Sequence, residues 1–160
     1  MTQDNIRVLL IGFGNPGRKD DGLGPALAAA VEKMGLADVT VESNYQLNVE
    51  DSDAIAKHDV VIFADASVSC KEPYEFERLA PQAVSSFSSH SIEPRAVLAL
   101  AHQLFQAKTT GFMLAIRGYE YNEFEENLSD AARENLQKAV AFVEEILQDR
   151  KFLTTEVHFN

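Results

Sequence analysis

Arg7-Val8-Leu9-Leu10-Ile11-Gly12-Phe13-Gly14-Asn15-Pro16-Gly17-Arg18-Lys19-Asp20-Asp21-Gly22-Leu23-Gly24 is the stretch that decides the fold of this chain. It opens with a continuous apolar run ending in glycine, as in a strand buried on both faces of a parallel sheet. A polar, glycine-rich turn follows. Beyond it Leu23, Ala26, Leu27, Ala30, Val31 and Met34 recur at helical spacing, and Gly35 supplies a stop.

The same alternation of strand and helix continues outward. Residues 39–43 alternate like a second strand, and 49–57 read as a short helix. Residues 60–66 form a third apolar run with a carboxylate, Asp65, at its C-terminal end. Tyr74-Glu75-Phe76-Glu77-Arg78-Leu79 has the pattern of a half-exposed edge strand. A helical pattern covers 94–107, a buried strand 111–117, and Ser129 is a good N-cap for a long final helix carrying Leu136, Val140, Val143, Ile146 and Leu147. Residues 152–160 read as a polar tail. The expectation is an α/β protein, a three-layer α/β/α sandwich with a mostly parallel sheet, and a single domain over 1–160.

The bulk numbers narrow the function. Twenty-five acidic against 14 basic residues give a formal net charge of −11, which argues against nucleic acid and anionic membrane as partners. The lone Cys70 excludes an internal disulfide and any zinc site built from several thiolates. The first residues carry no signal-peptide pattern, and no apolar run approaches the ~18 residues of a membrane span, so a cytoplasmic protein is expected.

In an open α/β sheet, functional groups gather beyond the C-terminal ends of the strands. Three segments answer to that: 12–24, 65–69 and 85–92. The first fits G-x-G-x-x-G, with Glu42 where a ribose-binding acid would sit. A dinucleotide loop, however, needs its helix to start within the glycines, with free amides facing the pyrophosphate. Here Pro16 removes one amide and Asp20-Asp21 brings two carboxylates to the phosphate position. Acids at a helix start also serve as N-caps or dipole partners, and since adjacent side chains diverge, one of the pair could cap while the other faces the cleft.

Asp65 is either a ligand or a cap on the loop amides that follow its strand. His90, in Ser88-Ser89-His90-Ser91-Ile92, lies on a polar loop, whereas His58, His102 and His158 are poorly placed. Asp21, Asp65 and His90 together would make an open divalent-metal site, with imidazole suiting nickel or zinc and the carboxylates neutralising charge. A Cys70 or Ser67 nucleophile with His90 as base is a rival, but no G-x-S-x-G elbow is present. Asn15 is suited to ordering its turn or to touching substrate, and the acids Glu120, Glu123, Glu125 and Glu126 form either a solvated loop or a dock for a basic partner.

These residues resemble the hydrogenase maturation protease family. The likeness runs in order through Ile11–Gly24, Phe63-Ala64-Asp65-Ala66-Ser67, Ser89-His90 and Arg117-Gly118-Tyr119-Glu120, nearly the whole chain. It implies a twisted, mainly parallel five-stranded sheet between helices. It implies that Asp21, Asp65 and His90 contact a metal and carry catalysis, with Asp21 standing where some members have Glu. After the second strand some members carry an Asp-Gly-Gly-type segment, whereas this chain reads Asn44-Tyr45-Gln46-Leu47-Asn48. The Gln46-Leu47 pair is similar to members serving cytoplasmic, cofactor-linked hydrogenases and makes Gln46, with Asn15, a substrate-binding candidate. The implied activity is endopeptidase removal of a C-terminal extension from a nickel-loaded [NiFe]-hydrogenase large-subunit precursor. The nickel would be supplied by that substrate and no organic cofactor is expected. A nickel sensor or chaperone of the same fold is the non-enzymatic alternative.

Overall fold

A computed structural model describes residues 6–83, 92–122 and 124–154. Four parallel strands, β1 (Val8–Phe13), β2 (Val39–Asn44), β3 (Val60–Ser67) and β5 (Thr110–Arg117), are joined at one edge by an antiparallel β4 (Tyr74–Leu79). The strand order is β2-β1-β3-β5-β4. This is the expected five-stranded, mostly parallel sheet. The half-exposed pattern of Tyr74–Leu79 is borne out as an edge strand paired with β5.

Apolar residues alternate through the buried strands and separate two core layers. Val8 and Leu10, with Val60, Ile62, Leu114 and Ile116, face α1 (Leu23–Lys33) and α4 (Asp130–Gln148). Leu9, Ile11, Val61 and Phe63 face α2 (Asp51–Ala56) and α3 (Pro94–Phe105). Both faces are covered, which is why these strands read as unbroken apolar runs. The expected α/β/α sandwich is therefore observed. No described helix is long and apolar enough to cross a membrane.

Helix α1 packs very close to the sheet, and glycines make this possible. A Cβ on Gly24 would collide with the carbonyl oxygens of Phe13 and Ala64, and one on Gly12 with the Gly24 carbonyl. Gly14 turns the chain out of β1 at φ 138°, with the Asp21 carbonyl where its Cβ would be. Ser129 caps α4 as expected, its hydroxyl accepting from the Ala132 amide at 3.3 Å.

One expectation fails at the C-terminal end. The segment read as a polar tail begins with a short α5 (Lys151–Thr154), in which Leu153 is buried and the Phe152 ring lies 6.2 Å from that of Phe76. Tertiary packing against the edge strand supplies what so short a helix lacks on its own.

The N-terminal edge of the sheet is fastened by Arg150, buried without a carboxylate partner among the described residues. Its guanidinium donates to the carbonyls of Leu147 at 3.0 Å and of Ile6 and Ala37 at 2.7 Å each. It thus ties the end of α4 to the segments entering β1 and β2.

Candidate functional site

Strand order reverses between β1 and β3: the chain leaves β1 for β2 on one side, then returns to the other side as β3. Crevices in open α/β sheets form at such a point, outside the C-terminal strand ends. The loop after β1 and the last residues of β3 meet there. They carry Asp20, Asp21 and Asp65.

The two adjacent aspartates divide their work, though neither caps a helix. A 3-10 turn at Lys19–Gly22 precedes α1, whose N-cap, Gly22, has no side-chain capping bond. The cap reading is corrected by this turn, which aims the acids away from the amides of α1. Asp20 is fully buried and accepts four hydrogen bonds: from the amides of Tyr119 (2.8 Å), Glu120 (2.9 Å) and Ser129 (2.7 Å), and from the Ser129 hydroxyl (2.7 Å). Burial alone would raise its pKa, but the bonds from Ser129, Glu120 and Tyr119 outweigh it and hold the carboxyl below the usual value. Asp20 fixes the loop after β5 to the loop after β1 and is buried away from the surface.

Asp21 is half-buried, and its Oδ2 accepts from the Asn15 amide at 2.8 Å. The side chain of Asn15 in turn accepts from the Gly17 amide at 2.8 Å, so Asn15 does order its turn. These bonds also bear on the dinucleotide reading. The Asn15 and Gly17 amides are occupied and the Arg18 amide donates to the Asn15 carbonyl, so a carboxylate sits where a pyrophosphate would need open donors.

Asp65 continues the β3 face of Val61 and Phe63, and its Oδ1 accepts from the Ala66 amide at 2.8 Å. The loop-cap geometry is therefore present. Burial, opposed by that one amide and reinforced by the charge of Asp21, raises its pKa from 3.8 to about 7. It lines a cleft of about 400 Å³ with Phe13, Leu79, Ile92, Pro94, Arg95 and Met113 among its walls.

His90, the third expected ligand, lies outside the described residues. Among the described residues no group of three or more His, Cys, Asp or Glu is placed to hold a metal ion. Gln46 is exposed beyond β2, next to the buried Leu47. The other described histidines are engaged structurally: His58 bonds the Ala54 carbonyl (2.7 Å) and Thr40 hydroxyl (2.9 Å), and His102 the Thr109 carbonyl (2.8 Å). The rival nucleophiles are likewise occupied. The Ser67 hydroxyl accepts from the Ser69 and Cys70 amides, and Cys70 is buried with its thiol 3.5 Å from the Ala115 carbonyl.

Two features of the site have no local signature in the sequence. One is the anchoring of Asp20 to residues about a hundred positions away. The other is Tyr121, whose hydroxyl is buried beside Asp20. Of the acidic group after β5, Glu120 and Glu125 pair with Lys19 at 3.0 and 3.8 Å, and Glu123 lies outside the described residues.

The arrangement has the fold of the solved hydrogenase maturation proteases. It superimposes on the protease HycI from Thermococcus kodakarensis KOD1 with a TM-score of 0.71 at 23% identity, over 90% of this chain and 94% of that one. The maturating endopeptidase HybD from E. coli gives 0.67 at 20% identity, over 91% and 94%. The hydrogenase 2 maturation peptidase from a Thaumarchaeota archaeon gives 0.66 at 20%, over 89% and 98%. No protein-family model and no curated protein matches the sequence. At these identities the likeness is one of fold.

Proposed function

We propose that this protein is a cytoplasmic endopeptidase of hydrogenase maturation, removing the C-terminal extension of a nickel-loaded [NiFe]-hydrogenase large-subunit precursor. One observation carries the reading. Asp21, on the loop after β1, and Asp65, at the end of β3, are the two acids of the family-like motifs, and they lie close enough at the β1/β3 crossover for the charge of Asp21 to add to the rise in the Asp65 pKa. Two like charges half-buried together form a site that a divalent cation relaxes, because the cation favours both ionised forms and relieves their repulsion. Nickel arrives with the substrate and reports that the precursor is loaded; when bound, it polarises the peptide carbonyl it touches.

The chain's own residues then have separate tasks. Asp21 is oriented by the Asn15 amide, which fixes one oxygen and leaves the other for the incoming ligand. Asp65, the carboxylate that ends the buried face of β3, is assigned as general base, taking a proton from the attacking water. His90 is assigned as the third ligand, on the family resemblance. The cleft beside Asp65, with Phe13, Ile92 and Met113 on its walls, receives the chain of the substrate next to the cut, and Gln46, exposed beyond β2, contacts the precursor.

The test is incubation with a nickel-loaded large-subunit precursor, read by intact mass, using the unaltered protein, Asp65→Asn and His90→Ala. Release of a C-terminal peptide by the unaltered protein alone is the expected result. Cleavage by Asp65→Asn at the wild-type rate would remove the proposed base. Nickel uptake without cleavage would move the protein to the sensing or chaperone role.

A further inference from the structure

Tyr121 follows β5 on the loop that Asp20 holds, and its backbone has no freedom to drift. The Arg18 guanidinium donates to its carbonyl at 3.2 Å, the Asp20 amide to the Glu120 carbonyl at 2.9 Å, and the Asp20 carboxylate takes the amides just before it. The phenol folds inward over Gly118. A Cβ at position 118 would collide with the Tyr121 hydroxyl and stand 2.9 Å from the Asp20 Cβ, so glycine is what admits the hydroxyl there. Gly118 itself donates to the Ser67 carbonyl at 2.9 Å, which places the phenol at the β3/β5 end of the same sheet edge that carries Asp65.

That hydroxyl is buried and has no hydrogen-bond partner among the described residues. A buried hydroxyl without a partner destabilises the fold, and phenylalanine would fill the same space without that cost. The neighbouring tyrosine shows the contrast, since the Tyr119 hydroxyl bonds Glu72 and accepts from Asn135. Burial first, then the charges of Asp20, Asp65, Asp21 and Cys70, push the Tyr121 phenol up to about 12, so it keeps its proton and serves only as a neutral donor. Asp20 already accepts four hydrogen bonds, whereas Asp65 and Asp21 each accept one backbone amide, which leaves those two as the nearby groups with the most oxygen to offer.

We infer that Tyr121 is a positioning residue of the carboxylate site, its buried phenol supplying a hydrogen bond that fixes Asp65 when that carboxylate takes up a cation. The inference rests on the proposed function for its setting, and on the orphaned hydroxyl and the Gly118 cradle for its substance. Groups of this kind orient ligands without touching the metal, and their loss costs affinity or rate.

The experiment compares the unaltered protein, Tyr121→Phe and Asp65→Asn in three measurements: Ni²⁺ binding by calorimetry, urea unfolding, and KM and kcat for the nickel-loaded precursor. For Tyr121→Phe the expected result is Ni²⁺ affinity and kcat lowered about tenfold or more, KM for the nickel-loaded precursor raised, and stability equal or higher. A merely structural tyrosine would move stability alone. Tyr121→Phe matching the unaltered protein in Ni²⁺ affinity and kcat overturns the inference and leaves the protease reading intact. An unaltered protein that neither binds Ni²⁺ nor cuts the precursor sinks both.

Discussion

Replacing Asp65 by Asn should make the protein more stable at neutral and alkaline pH. The carboxyl is raised from 3.8 to about 7 by burial first and then by Asp21, with only the Ala66 amide in its favour. Its folded pKa exceeds the unfolded value, so the folded state holds the proton more tightly. The contribution of Asp65 to stability is full below 3.8, falls as the pH rises through the window to about 7, and is level beyond it. Inside that window the slope is about 1.4 kcal/mol per pH unit, so from about pH 5 to about pH 8 the wild type loses about 2–3 kcal/mol that the variant keeps. Asparagine retains an oxygen for the Ala66 amide and carries no charge to oppose Asp21. Urea unfolding of both proteins across this range, with chelator present, reads the difference directly. A stability difference that does not change with pH, or a variant weaker than wild type at pH 8, would refute the account of Asp65 as a destabilised carboxylate. A stabilised variant that no longer processes precursor would show the same burial that taxes the fold serving the chemistry.

Asp20→Ala should behave in the opposite way. It strands three amides and one hydroxyl at the sheet edge, so a loss of about 4 kcal/mol or more is expected in urea unfolding. Because the folded pKa of Asp20 is lowered, its contribution is present above 3.8 and disappears as the pH falls below it, so the gap between wild type and variant should close in acid. Arg150→Met leaves the carbonyls of Leu147, Ile6 and Ala37 without their donor and should cost about 2–4 kcal/mol by thermal or urea unfolding. That edge is remote from Asp65, so kcat for the precursor should be unchanged wherever Arg150→Met is folded.

The sequence by itself determined the layered architecture. Burial on both faces demands unbroken apolar runs, and these run through Val8–Phe13, Val60–Ser67 and Thr110–Arg117; helical spacing and the Ser129 cap account for α1 and α4. Such signals are local, repeating within a few residues, and survive without knowledge of what packs where. They also mark Asp65, because a carboxylate that ends an apolar strand is legible as such. What the tertiary structure alone decided is everything that depends on pairing across the chain. Strand order places β3 beside β1 and so brings Asp65 toward Asp21, and no periodicity encodes that order. Asp20 and Asp21 are indistinguishable as neighbouring letters. Only the loop returning about a hundred residues later gives Asp20 its four donors, while Asp21 takes one amide from its own turn. The buried Arg150, the docked α5 and the unpartnered hydroxyl of Tyr121 have the same origin, since each is fixed by desolvation and by partners distant in sequence.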